Sequence, residues 1–138
     1  MARSFLNRKI FMALAILFAG LFVGCDGGST SPISTALSSE TGYKIQLSSS
    51  IDTVSVGGKA IITATILEPD GSPIRDDETV FFASSEGGSF SDNPISTKNG
   101  QATVAYTSSD TPMRFDNITA SCHGAIATIN IWILPQSF

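Results

Sequence analysis

"ITATILEPDGSPIRDDETVFFASSEGGSF", Ile62 to Phe90, decides the fold. Ile62, Ala64 and Ile66 fall on one face of an extended chain. The opposite face carries Ile61, Thr63, Thr65 and Leu67, largely β-branched and suited to a pleated surface. Pro69 to Pro73, "PDGSP", breaks the run, and Gly71 can supply the positive φ of a tight turn. After polar "RDDE", Arg75 to Glu78, the period of two resumes, with Val80 and Phe82 on one side and Phe81 on the other. "SEGGSFSDNP", Ser85 to Pro94, reads as loop.

The same pattern extends both ways from this stretch. Upstream, "YKIQLS" puts Ile45 and Leu47 together, and "DTVSV" pairs Val54 with Val56 before Gly57-Gly58. Downstream, Asn99-Gly100 is a strong hairpin signal. "QATVAYTS" then sets Ala102, Val104 and Tyr106 against Thr103, Ala105 and Thr107. "NITASCHG" alternates Ile118, Ala120 and Cys122. "AIATINIWIL" sets Ala127, Ile129, Ile131 and Ile133 against Thr128, Asn130 and Trp132. No stretch after Cys25 has a helical period. About seven to eight strands in about ninety residues predict an all-β, immunoglobulin-like β-sandwich. Cys122 takes an inward place, and the positions expected to face it are Ile62 and Ala64. It therefore reads as a buried free thiol acting as a small hydrophobe.

Ile62 to Phe90 also resembles the group-1 bacterial immunoglobulin-like domain of invasins and intimins. That family runs a strand, Asp-Gly-x-Pro-Val, a few polar residues, Val-x-Phe and a Gly-Gly loop. Here stand Asp70-Gly71-Ser72-Pro73-Ile74, Val80-Phe81-Phe82 and Gly87-Gly88. "STKNGQATVAYTS", with Thr97, Gly100, Ala102 and Val104, is similar to the family's next segment, and "NITASCHGAIATINI" to its closing strands. Ile74 and Cys122 stand where the family commonly has Val. The resemblance spans roughly Lys44 to Leu134 and implies a non-enzymatic module of cell adhesion. Family members string such domains into rods that present a separate tip, whereas one copy and no tip are read here.

Before this body the composition changes. Arg3, Arg8 and Lys9 precede an uncharged apolar run, Ile10 to Val23. Its length of about fourteen residues is short of the roughly 20 a membrane helix needs. Basic head, short apolar middle and small residues describe a secretory signal, with a short uncleaved anchor as the alternative. "LFVGC", Leu21 to Cys25, resembles the lipobox of bacterial lipoproteins. That resemblance implies cleavage between Gly24 and Cys25, a diacylglycerol on the Cys25 thiol, and an acyl chain such as palmitate on the new amino terminus; the alternative for Cys25 is a disulfide with Cys122. Asp26 resembles an inner-membrane retention signal of enterobacterial lipoproteins. "DGGSTSPISTALSSETG", Asp26 to Gly42, is rich in Gly, Ser and Thr and reads as a flexible tether, with an ordered arm as the alternative. The expected organisation is a signal peptide over 1–24, lipidated Cys25 with a linker over 25–42, and the immunoglobulin-like domain over 43–138.

Charge and motifs narrow the function. The chain carries eight basic and twelve acidic residues; without the three basic ones before Cys25, five stand against twelve, a balance of -7. An acidic body lacks the basic footprint of a nucleic-acid binder. The single histidine, His123, next to Cys122, argues against a His-pair or mixed Cys/His zinc site, because neighbouring strand residues face opposite ways. No G-x-S-x-G stretch marks an activated serine. Asp70 and "RDDE" read as a solvated acidic turn, with weak calcium binding as the alternative. Neither metal, cofactor nor catalytic residue is expected.

Implied by the family topology, Phe81, Thr119, Ser121, His123 and Trp132 form one outward face of aromatic and hydroxyl groups, a candidate surface for a protein or glycan partner. The expected role is a binding or spacer module in the bacterial cell envelope, lipid-anchored to the inner or outer membrane. The alternative is an accessory docking subunit of an envelope or secretion complex.

Overall fold

The computed structural model describes residues 33–37 and 42–137. Within them lie the strands β1 (Ile33–Leu37), β2 (Lys44–Ser49), β3 (Thr53–Ser55), β4 (Lys59–Leu67), β5 (Thr79–Ser84), β6 (Ser89–Phe90), β7 (Ile95–Ser96), β8 (Gln101–Thr107), β9 (Arg114–Cys122) and β10 (Ala125–Leu134). They form two five-stranded sheets, ordered β1-β2-β4-β8-β6 and β3-β10-β9-β5-β7. The first edge of the body serves both sheets. β2 pairs antiparallel with β4, and a few residues later β3 pairs parallel with β10. This is the two-sheet order of an immunoglobulin-like sandwich.

Alternation built the core as expected. Ile45 and Leu47, Ile62, Ala64 and Ile66, Val80 and Phe82, Val104, Ile118, and Ile129, Ile131 and Ile133 are all buried between the sheets. Val56 is only partly buried against them. Cys122 is buried and free, as a small hydrophobe in the same layer.

Three local readings are corrected. First, the stretch 26–42 is not tether throughout, because β1 lies antiparallel on β2, with Ile33 opposite Ser48 and Leu37 opposite Lys44. Without it the backbone groups of β2 would end the sheet unpaired, and β-branched Ile33 and Thr35 suit an extended chain. Residues 1–24, the Gly24–Cys25 cleavage site and Cys25 itself lie outside the described residues. Second, Asn99-Gly100 does make a turn, with φ of 52° and 77°. Yet β7 before it pairs with β5 and β8 after it pairs with β4, so the turn carries the chain from one sheet to the other. The long hairpin is β9–β10, closed at His123-Gly124 with φ of 48° and 80°. Positive φ at both central residues matches the twist of the flanking strands. Third, the loop after β5 holds β6, and its Asn93 acts as a strand substitute. The Asn93 amide accepts from Phe82 N–H at 2.9 Å and donates to Phe82 C=O at 2.7 Å.

One buried polar cluster ties the sheets together. Asp116 points inward from β9 and is fully buried. Its Oδ2 accepts from Tyr106 Oη of the other sheet at 2.5 Å and from Ser84 Oγ at 2.6 Å. Its Oδ1 accepts from Glu86 N–H at 3.2 Å and Ser85 Oγ at 3.4 Å. Ser84 Oγ in turn accepts from Gly88 N–H at 2.7 Å. Gly88 lies so close that a Cβ there would run into the Tyr106 ring and come within 2.9 Å of Thr107 C=O. The Gly-Gly loop therefore serves to seat Tyr106. Burial, and then the hydrogen bond to Asp116, push the Tyr106 phenol far above its ordinary value, so it stays a donor.

Tyr106→Phe removes one of these donors and should cost about 1–3 kcal/mol, while Asp116→Ala strands several donors and should cost more. Urea midpoints at unchanged slope measure both. A Tyr106→Phe midpoint equal to the parent's would show that the tie contributes nothing.

Candidate functional site

The outward face of the β3-β10-β9-β5-β7 sheet is set by the residues that alternate with the core. Pairing registers sort them into rows. Phe81 lies opposite Ser121, and Ser121 opposite Ile126. Ala83, Thr119 and Thr128 form the next row, with the two threonine hydroxyls 2.9 Å apart. Asn117 faces Asn130, and Phe115 faces Trp132 in the last row. The Phe115 and Trp132 rings meet with centroids 4.6 Å apart and planes at 57°.

Phe81, Thr119, Ser121 and Trp132 therefore share one face, as the alternation predicts. The structure does not gather them into one patch. Phe81 and Trp132 stand in the first and last rows, six residues apart along β9, which is about 20 Å. Each has instead an apolar neighbour that the sequence reading passed over. Ile126 accompanies Phe81, at 55% and 54% exposure, and Phe115 accompanies Trp132, at 57% exposure. The signal was present, since alternation carried back from Ile118 puts Asn117 and Phe115 outward, and carried back from Thr128 it does the same for Ile126.

His123 leaves this face. Its place in the hairpin turn swings the side chain out of strand alternation, toward the end of the sandwich. There Nε2 lies 2.6 Å from Glu78 Oε2, and the ring stacks on Tyr43 with centroids 4.8 Å apart. Tyr43 leads into the first sheet and Glu78 into the second, so His123 clamps that end shut.

The acidic turn is similarly committed. Glu78 also meets Arg75 at 3.1 Å. Asp76 Oδ1 accepts from Asn99 N–H at 2.7 Å, and Asp70 Oδ1 accepts from Ser72 N–H at 2.8 Å and Ser72 Oγ at 2.6 Å. Buried Thr97 donates to Arg75 C=O at 2.7 Å and accepts from Glu78 N–H at 3.1 Å, pinning the turn from beneath. Among the described residues no group of three or more His, Cys, Asp or Glu is placed to hold a metal ion. Ser84 and Ser85, which contact the Asp116 carboxyl group, lie at the opposite end of the sandwich from His123, and Ser72 spends its hydroxyl on Asp70 within its own turn. Burial, and secondarily the Glu78 charge, push the Cys122 thiol up, which suits a packing residue and not a nucleophile.

No protein-family model matches the chain, and no curated protein sequence matches it. Among solved structures it is similar to the D0-D1 domain of intimin. The TM-score is 0.51 at 14% sequence identity, over 77% of this chain and 84% of that one. At that identity the likeness shows the fold, an immunoglobulin-like β-sandwich.

Two measurements check this geometry. The hydrogen bond from His123, helped by the His123 and Arg75 charges, holds the Glu78 carboxyl below its ordinary 4.5. On acidification the unfolded chain therefore takes up this proton first. The stabilisation is present above pH 4.5 and is lost as pH falls through the lowered value. Glu78→Gln should flatten that part of the stability–pH curve, and an unchanged curve would remove His123 from the clamp. Cys122 should resist alkylation in the native protein and react on unfolding; rapid native labelling would contradict its burial.

Proposed function

We propose that this chain is a lipid-anchored protein of the bacterial cell envelope whose immunoglobulin-like domain acts without catalysis, as a binding module. The observation that carries the binding role is the row Phe81–Ser121–Ile126. Two half-exposed bulky apolar side chains flank a small hydroxyl, with Thr119 and Thr128 alongside. Burying such a pair against a protein partner removes apolar area from water, and the hydroxyls supply hydrogen bonds at its border. Support for the anchor is the apolar run ending in Val23-Gly24-Cys25. Non-catalytic action is supported by how the polar groups are used, with the Asp116, Glu78 and Thr97 clusters all engaged in fixing loops.

A fold alone does not name a function, so the face and the anchor need separate tests. Mass spectrometry of the mature N-terminus should find acylated Cys25. Cross-linking on intact cells should capture a defined partner that the double variant Phe81→Ser, Ile126→Ser loses while folding normally. Unchanged capture by that folded variant would remove the row from the binding role.

A further inference from the structure

The direction of β1 determines which end of the sandwich a tether reaches. Ile33 pairs with Ser48, which pairs with Thr63, and β1 then runs toward Lys44 and the end closed by His123. A chain arriving at Ile33 therefore comes from the other end, where Ile51, β3 and the last residues of β10 lie. Seven residues, 26–32, separate Cys25 from Ile33. Such a link spans at most about 25–30 Å fully extended. A lipid on Cys25 would hold this end of the domain against the bilayer.

This is also the end that exposes the larger apolar cluster. Met113 is 62% exposed and Phe115 57%, with Ile51 at 42% and Leu134 at 40%. Trp132 joins them through its contact with Phe115 and its backbone bond to Asp52 C=O at 2.8 Å. Met113 is fastened beside them by its N–H bond to Ile133 C=O at 2.7 Å. Charges nearby are few and mixed. Arg114 is paired with Glu86 at 3.4 Å. Lys59, Asp52 and Asp110 belong to the same end. Attraction there is thus apolar and aromatic, the chemistry of the headgroup boundary where Trp and Phe side chains settle.

We propose that Met113, Phe115, Trp132 and Leu134 form a membrane-contacting patch that rests on the leaflet carrying the anchor. It rests on the lipid-anchor reading above. A link of this length keeps the patch at high effective concentration over the lipid, so weak apolar contact suffices. The Phe81–Ser121–Ile126 row, about 20 Å farther along the strands, stays free for its partner.

Trp132 is the only tryptophan, so its emission reports the patch directly. The full chain, processed in its bacterial host and purified in detergent, is reconstituted into phosphatidylcholine vesicles with and without brominated acyl chains. The same sample is read by N-terminal mass spectrometry. The expected result is acylated Cys25, blue-shifted Trp132 emission, loss of most of that emission to brominated lipid, and protection from aqueous acrylamide. In the variant Trp132→Phe, Phe81→Trp, the probe in the far row should stay open to acrylamide and unquenched by the lipid. Acylated protein whose Trp132 is not quenched by brominated lipid overturns the patch and leaves the anchor standing. This holds whether acrylamide reaches the ring or a second copy covers it. Equal quenching of both probes overturns the orientation. An unacylated N-terminus sinks the anchor reading, and the patch falls with it.

Discussion

Asp116 is the constraint on which the sandwich turns. A carboxyl group buried between two sheets is tolerated only if donors converge on it. They come from β8, from the end of β5 and from the loop that follows. A slip of β9 by one residue would turn Asp116 to solvent and Phe115 into the core. The cluster therefore sets the register of β9, and through the long β9–β10 hairpin it sets every row of the outward face.

That dependence gives the loose motifs of the sequence a physical meaning. Ser84, Ser85 and the Gly-Gly loop satisfy Asp116 and seat Tyr106, while the Pro-rich turn and Asn99-Gly100 lean on each other at the opposite end. Gly100 has positive φ and so little room that a Cβ would come within 2.7 Å of Pro73. Residue types that also occur in active sites are occupied here with holding loops in place. Four of the exposed bulky apolar side chains, Phe81, Ile126, Phe115 and Leu134, stand on one sheet, whereas Ile61 stands on the other.

Much of this was legible in the residues themselves. Period-two alternation is local, so Ile62, Val80, Phe82, Ile118 and Ile131 could be assigned inward, and Phe81 and Trp132 outward, from their neighbours alone. Three features were not legible. Asp116 reads as a charge at the start of a strand until Tyr106 is brought to it from the facing sheet. His123 reads as a strand residue until the hairpin turn rotates it toward Glu78. Ile33–Leu37 carries a weak strand signal that counts only because the edge of β2 was open.

Sequence by itself thus determined the sandwich, its core face and the free, buried Cys122, because burial follows a repeat of two along the chain. Only the tertiary structure decided which rows the outward aromatics occupy, where the acidic turn and His123 spend their hydrogen bonds, and at which end of the sandwich β1 begins. Those depend on pairing between strands far apart in the chain, and pairing register is a property of the assembled sheets, not of any one strand.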